Sequence, residues 1–167
     1  MDVLVDSTDH VRGAEDGRLV LVYGDYECPY TRMAMIAIER ARSELGDRLR
    51  LAYRHFPLTE IHPHALGAAQ AAEAAHLQGR FWAMHDLLFH RQKALSDGDL
   101  RAYAEQIGLD VARFDEDRRS ATVLERVQRD IDSGTSSGEV NGTPTIFVDG
   151  RLYDGSYSPP DLVKALS

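Results

Sequence analysis

Several residue types and patterns that define protein classes are scarce in this chain of 167 residues. It has one cysteine, Cys28, so neither an intramolecular disulfide nor a metal site built from several cysteines can form. No apolar run approaches the roughly 20 residues of a membrane-spanning helix, so we expect no membrane insertion of this chain. Basic residues are also in deficit, with 19 Lys and Arg against 27 Asp and Glu and a formal net charge of −8. This charge disfavours a nucleic-acid partner, because such binding usually needs a basic face.

The beginning of the sequence and the lone thiol both bear on location. Residues 1–6 lack the basic stretch and apolar core that define a secretory signal. A free thiol suits a reducing compartment, where disulfides are rare. Together these two features predict a cytoplasmic location.

The hydrophobic pattern of the first third predicts an α/β fold. Residues 19–23 form a continuous β-favouring run that is typical of a buried strand. Pro29 suits the first position of a helix, which we expect to end at Gly46. Residues 48–56 alternate apolar and polar side chains in the manner of a second strand. Strand, helix and strand in this order indicate a βαβ unit with parallel strands.

The remainder of the sequence predicts helices followed by a β-hairpin. We expect one domain over residues 1–167, with a helical insert at about 61–133. Within the insert, Ser96 with Asp99 resembles a capping box, and Asp110 and Ser120 are suited to begin helices. The elements expected after the insert are a loop at 134–142, a strand at 145–148, a turn at Asp149-Gly150, a strand at 151–153 and a helix at 161–166.

Cys28 lies between the first predicted strand and the helix that begins at Pro29. The free N–H groups and the dipole of a helix N-terminus favour negative charge, so a thiolate at this position is stabilised. A buried core cysteine is the alternative, since free cysteine behaves as a small hydrophobe. The carboxylates of Asp25 and Glu27 oppose a thiolate by charge repulsion.

A second feature is the sequence Gly142-Thr143-Pro144-Thr145 at the head of a predicted strand. Proline cannot donate to a sheet ladder, so it belongs at the start or the edge of a strand. A cis bond before Pro144 would fix a tight turn and expose the backbone groups of Thr143. An ordinary proline at a strand start is the alternative.

These features occur together with other motifs that identify a family. The chain resembles thioredoxin-fold proteins of the DsbA type, in particular the DsbA-like domain at the C-terminus of bacterial Na⁺/H⁺ antiporters of the NhaA kind. The segments that carry the resemblance are 9–13 (DHVRG), 23–30 (YGDYECPY), 54–58 (RHFPL), 62–65 (HPHA), 79–82 (GRFW) and 142–145 (GTPT).

The resemblance implies a thioredoxin-like fold with an α-helical insert that covers the site, and thiol–disulfide chemistry without a bound cofactor. Cys28 matches the cysteine that attacks disulfides in this family, and Thr31 takes the place of the second, resolving cysteine. The substrate, a protein or small-molecule thiol or disulfide, is held beside the cysteine. The residues implied in binding it are Pro29, Tyr30, Thr143 and Pro144.

Thr31 is the main departure from the family pattern. Dithiol enzymes release a mixed disulfide by attack from the second cysteine, which this chain lacks. A monothiol route is therefore expected, in which Cys28 attacks a disulfide and an outside thiol such as glutathione resolves the product. The Thr31 hydroxyl can donate a hydrogen bond towards the thiolate. The alternative is a redox-inactive binding or regulatory module, associated with an antiporter.

Two other kinds of site have weaker support. His62 and His64 flank Pro63, but two ligands do not make a metal site, so we expect no metal and a role at the start of a helix. A cysteine–histidine hydrolase lacks any local signature. His55 follows the second strand, and the sequence indicates no partner for it.

Overall fold

The elements on either side of Cys28 form where the apolar pattern predicts them. The computed structural model describes residues 3–167; residues 1 and 2, part of the predicted domain and of the segment without a signal pattern, lie outside the described residues. Strand β2 covers Arg18–Gly24 and helix α1 covers Pro29–Leu45. Pro29 begins the helix without cost, because the N–H group it lacks is unpaired at that position anyway. Gly46 follows the helix with a φ of 59°, which favours glycine.

The other elements follow the predicted order, with a short strand added near the beginning. The strands are β1 His10–Arg12, β2, β3 Leu49–His55, β4 Thr145–Val148 and β5 Arg151–Leu152. The helices are α1, α2 Ala65–His76, α3 Phe81–His90, α4 Asp97–Gln106, α5 Val111–Asp117, α6 Ala121–Ser137 and α7 Pro159–Leu166, with a 3₁₀ turn at Gly46–Arg48.

The described chain divides into two compact units. The sheet unit comprises the residues up to Gly24, Cys28–Arg54 and Ser133–Ser167. The helical unit comprises Asp25–Glu27 and His55–Asp132, and so contains most of the predicted helical insert. Within residues 3–167, no helix combines the length and the apolar character needed to cross a membrane.

The sheet is mixed, with the strand order β1-β3-β2-β4-β5. β1 pairs antiparallel with β3, β4 with β2, and β5 with β4. The turn between β4 and β5 is formed by Asp149 and Gly150, whose φ angles of 49° and 87° are those of a two-residue hairpin loop. Helices α1 and α7 pack against each other in the same unit. Its buried apolar side chains include Val20, Val22, Ile38, Leu49, Leu51, Ile146, Phe147 and Leu162.

Arg54 anchors the N-terminal segment within the sheet unit. Its Nε and Nη2 atoms each donate to Asp9 at 2.8 Å, and Nη1 donates to the Tyr23 hydroxyl at 2.7 Å. Nη2 also donates to the Leu4 carbonyl at 2.8 Å. Burial by itself lowers the pKa of Arg54, but the hydrogen bonds with Asp9 and Tyr23 outweigh it and raise the pKa above its ordinary value.

Two large apolar side chains of helix α1 face solvent. Met33 is 48% exposed and Ile36 is 49% exposed. The inner side of the helix combines three alanines with Thr31, Met35 and Ile38, and the small alanine side chains permit close packing. The buried residues of α1 are Thr31, Ala34, Met35, Ala37, Ile38 and Ala41.

The loop predicted at 134–142 is wrong over its first four residues, because α6 continues to Ser137. Glycine and serine disfavour a helix by at most about 1 kcal/mol per residue, and the packing of this last turn outweighs that preference. Gly134 is buried, and the Ser137 hydroxyl donates to its carbonyl at 2.6 Å. Gly138 follows the helix with a φ of 73°.

The helical unit is built around the alanine-rich helix α2. Helices α3, α4 and α5 all contact α2. The capping box of Ser96 and Asp99 is confirmed at the start of α4, and the Asp110 carboxylate caps α5 as expected. The Ser120 hydroxyl accepts from the Val123 N–H at 3.3 Å at the start of α6.

His55 has a partner that the sequence does not indicate. Its Nε2 atom lies 2.7 Å from Glu73 Oε2, and both side chains are buried in the helical unit. The Asp130 carboxylate accepts from the His55 backbone N–H at 2.9 Å and also binds Arg126. Buried charges need such partners, because isolated charges are costly away from water.

Candidate functional site

Cys28 is the residue that precedes the first turn of α1. Its backbone is extended, with φ −78° and ψ 120°, and its carbonyl accepts from the Arg32 N–H at 3.1 Å. The side chain is 3% exposed. The Sγ atom donates to the Thr143 carbonyl oxygen at 3.5 Å. The structure therefore brings together Cys28 and Thr143, which are 115 positions apart in sequence.

The turn before β4 provides the second half of this site. The peptide bond between Thr143 and Pro144 is cis, and Pro144 is buried. The Thr145 hydroxyl donates to the Gly142 carbonyl at 2.7 Å, a hydrogen bond between two residues of the turn itself. The Thr143 Oγ1 atom is buried and makes no hydrogen bond inside the described range, residues 3–167.

Thr31 lies on the inner side of α1 and is fully buried. Its neighbour Gly24, at the end of β2, has no room for a side chain. A Cβ atom at Gly24 would lie 2.8 Å from Thr31 Cγ2 and 2.7 Å from the hydroxyl oxygen of Tyr53. The glycine thus allows Thr31 and Tyr53 to approach β2 closely. Sequence reasoning missed both Gly24 and Tyr53; a glycine at the end of a strand is the signal that could have indicated this close approach.

Pro29 and Tyr30, the other two residues implied in substrate binding, are exposed on the first turn of α1. The Tyr30 side chain is 67% exposed. Met33 and Ile36 follow Tyr30 at intervals of three residues, so these three side chains form an exposed apolar row along one side of the helix.

The carboxylates that precede Cys28 in sequence hold a loop of the helical unit. Asp25 is buried, and its Oδ2 atom accepts from the Leu58 N–H at 2.9 Å and lies 2.7 Å from His62 Nδ1. Glu27 Oε1 accepts from the His64 N–H at 2.8 Å. His64 directly precedes α2, in accord with a role at a helix start, whereas His62 pairs with Asp25.

Tyr26, between these two acids, is fixed by aromatic neighbours of the helical unit. Its hydroxyl lies 2.9 Å from His85 Nδ1, and the two rings meet edge to face with centroids 5.5 Å apart. Phe89 is closer, with a centroid distance of 4.8 Å. The Gln92 side chain donates to the Tyr26 carbonyl at 2.9 Å. The segment Asp25–Glu27 is therefore held by hydrogen bonds at each of its residues.

Comparison with known proteins identifies the family. A family model described as thioredoxin matches residues 6–167. The chain belongs to the thioredoxin family. The resemblance and the thioredoxin-like fold expected from the sequence are thereby confirmed.

Relatives of this thioredoxin-family chain include parts of longer proteins. A Na⁺/H⁺ antiporter NhaA from Mycolicibacterium vanbaalenii is 45% identical over 161 residues, which are 95% of this chain and 26% of the relative. One from Herminiimonas arsenicoxydans is 48% identical over 159 residues, which are 95% of this chain and 25% of the relative. The chain thus spans about a quarter of the length of the curated relatives it matches.

Solved structures share the fold over nearly the whole chain. A thioredoxin-like oxidoreductase from Silicibacter pomeroyi superimposes with a TM-score of 0.82 and is 28% identical, covering 96% of this chain and 91% of the other. BdbD from Bacillus subtilis, at 19% identity, superimposes with a TM-score of 0.81 over 93% of this chain and 89% of its own. The second likeness concerns the fold alone, which is the DsbA-like form of the thioredoxin fold.

Proposed function

We propose that this chain carries out thiol–disulfide exchange through Cys28 by a monothiol route, with glutathione or another small thiol as the co-substrate. The observation that carries the proposal is the position of the Cys28 sulfur. It lies at the N-terminus of α1 and 3.5 Å from the carbonyl of Thr143 in the cis-proline turn. The likeness to a thioredoxin-like oxidoreductase at 28% identity supports the same chemistry.

The proposed cycle has two exchange steps. The Cys28 thiolate attacks one sulfur of a disulfide, a new S–S bond forms to Cys28, and the other sulfur leaves as a thiolate that takes up a proton. A glutathione thiolate then attacks the sulfur bound to Cys28, forms a glutathione mixed disulfide and releases the Cys28 thiolate. Each step replaces one S–S bond by another without a net gain or loss of electrons, so the cycle needs no bound cofactor.

The neighbouring residues have separate roles in this proposal. Thr31 donates a hydrogen bond towards the thiolate but cannot resolve the mixed disulfide, because a hydroxyl does not exchange with sulfur. Pro29 and Tyr30 on α1 and Thr143 and Pro144 in the turn contact the substrate chain. The cytoplasm is the compartment we propose, since reduced glutathione is available there for the second step.

Turnover of a glutathionylated peptide tests this proposal. With reduced glutathione in excess, we expect the chain to release free peptide faster than glutathione alone does, measured by liquid chromatography. The matched control is Cys28→Ser, which changes sulfur to oxygen and is expected to lose the acceleration completely. Equal rates for the native chain and Cys28→Ser would overturn the monothiol route.

A second candidate function is a redox-inactive regulatory module associated with a Na⁺/H⁺ antiporter. Two observations favour it: the Cys28 side chain is only 3% exposed, and relatives named as antiporters are 45% identical over 95% of this chain. This candidate predicts no turnover in the peptide assay. It also predicts that thiol reagents modify Cys28 in the unfolded chain but not in the native one.

A further inference from the structure

We propose that Tyr157 is a positioning residue, which holds the turn at Thr143 and Pro144 in the arrangement that receives a disulfide substrate. The Tyr157 hydroxyl donates to the Pro144 carbonyl oxygen at 3.2 Å. The proposal rests on the proposed function, because it assigns a role within the same exchange reaction.

Three successive carbonyl groups of the turn accept hydrogen bonds from side chains. The Gly142 carbonyl accepts from Thr145, which belongs to the turn itself. The Thr143 carbonyl accepts from the Cys28 thiol. The Pro144 carbonyl accepts from Tyr157, which lies in the segment between β5 and α7. Tyr157 therefore ties the turn to a part of the sheet unit that does not take part in the exchange.

The segment that carries Tyr157 is itself well held. The Tyr153 N–H donates to the Ile146 carbonyl at 2.8 Å and so continues the pairing of β4 beyond β5. The Tyr153 hydroxyl donates to the Ser156 carbonyl at 2.6 Å, and the rings of Tyr153 and Tyr157 are 6.1 Å apart. Burial, with a smaller contribution from Tyr153, raises the pKa of Tyr157 above its ordinary value. Its hydroxyl therefore stays protonated and able to donate.

The hydrogen bond from Tyr157 to Pro144 becomes more important during the exchange reaction. The Cys28 thiol donates its proton to the Thr143 carbonyl, and that hydrogen bond is lost when the thiol ionises or forms a mixed disulfide. The side-chain bonds from Thr145 and Tyr157 involve no sulfur, so they persist throughout the cycle. Loss of the Tyr157 hydroxyl should therefore weaken binding of a peptide disulfide more than it changes the reactivity of Cys28.

Tyr157→Phe tests the proposal, because it removes the hydroxyl and keeps the ring. We expect KM for the glutathionylated peptide to rise roughly threefold to tenfold, the range of one lost hydrogen bond, with kcat within about twofold. The rate at which a small alkylating reagent modifies Cys28 should be unchanged. Tyr103→Phe is the matched control, since Tyr103 also donates its hydroxyl to a backbone carbonyl, that of Ala94, but belongs to the helical unit.

Amide hydrogen exchange gives a readout that does not depend on turnover. Tyr157→Phe should speed exchange of the peptide that contains residues 142–146, and Tyr103→Phe should not. An unchanged KM, or unchanged exchange at 142–146, would overturn the positioning role. If the native chain shows no turnover while exchange at 142–146 still responds to Tyr157→Phe, the proposed function fails and the role in substrate binding fails with it, whereas the structural role of Tyr157 in holding the turn stands.

Discussion

Replacing Thr31 by cysteine is expected to turn this chain into a dithiol oxidoreductase that reduces insulin with dithiothreitol as the electron source. Positions 28 and 31 are three apart at the start of α1 and share one side of the helix. Cysteines with this spacing can reach the Cα separation of about 5.5 Å that a disulfide needs. The introduced thiol would then attack the mixed disulfide on Cys28, release the reduced substrate and leave a disulfide between positions 28 and 31.

The stability cost of Thr31→Cys should be small. Thr31 is fully buried, and cysteine is close to it in volume, so we expect a loss of under roughly 1.5 kcal/mol in the free energy of unfolding. Thr31→Ser, which keeps the hydroxyl, is the matched control and should reduce insulin no faster than the native chain does. The double variant Cys28→Ser/Thr31→Cys should be inactive. A Thr31→Cys variant that forms the disulfide yet fails to reduce insulin would show that the substrate surface has diverged and would favour the binding module.

Removing the Asp9 carboxylate is expected to lower the free energy of unfolding more than Thr31→Cys does. Asp9→Ala leaves the Arg54 guanidinium buried without its counter-ion, and breaking a buried pair in this way costs about 3–5 kcal/mol. Urea unfolding measures this loss as a lower transition midpoint. The unfolding should be cooperative in both the native chain and the variant, so that the two free energies can be compared.

An exposed ion pair supplies the control for Asp9→Ala. Arg101 lies 3.7 Å from Asp115 with its own side chain 51% exposed, so Arg101→Ala should change the free energy of unfolding by less than about 1 kcal/mol. If Asp9→Ala is no more destabilising than Arg101→Ala, Arg54 does not anchor the N-terminal segment in the way its hydrogen bonds indicate.

Local sequence signals predicted the fold at positions where the φ preference of a single residue determines the backbone conformation. Pro29 at the start of α1, Gly46 after its end, and Asp149-Gly150 in the hairpin turn all act through their own φ preferences. The last turn of α6 was not predictable in this way, because the burial of Gly134 stabilises it against its propensity. Strand β1 has three residues, too few to show the two-residue period of a strand. It is stabilised by its pairing with β3.

The candidate site was predictable in part. The junction position of Cys28 and the proline at the head of β4 indicated two segments, and the family resemblance placed them together. Tyr157 could not be found, because its contact with Pro144 arises from tertiary packing that leaves no mark on local spacing. Gly24 at the end of β2 is a signal of close approach, but it does not indicate that Tyr53 is the neighbour.

The acids beside Cys28 show how a sequence argument about charge can miss a structural role. Asp25 and Glu27 were expected to oppose a thiolate because they lie near it in sequence. In the structure, the Asp25 carboxylate accepts from the Leu58 N–H and lies 2.7 Å from His62 Nδ1, and the Glu27 carboxylate accepts from the His64 N–H. That role could not be predicted, because the hydrogen bonds span more than 30 positions in sequence.

The most direct test of the monothiol route is the intact mass of the native chain after incubation with oxidised glutathione. We expect one glutathionyl group per chain, attached at Cys28, removed by dithiothreitol and absent from Cys28→Ser. The same treatment in denaturant serves as the reference for a fully accessible thiol. A native chain that stays unmodified, while the denatured chain gains the glutathionyl group, would contradict the proposed exchange at Cys28 and leave the regulatory module as the function that fits this structure.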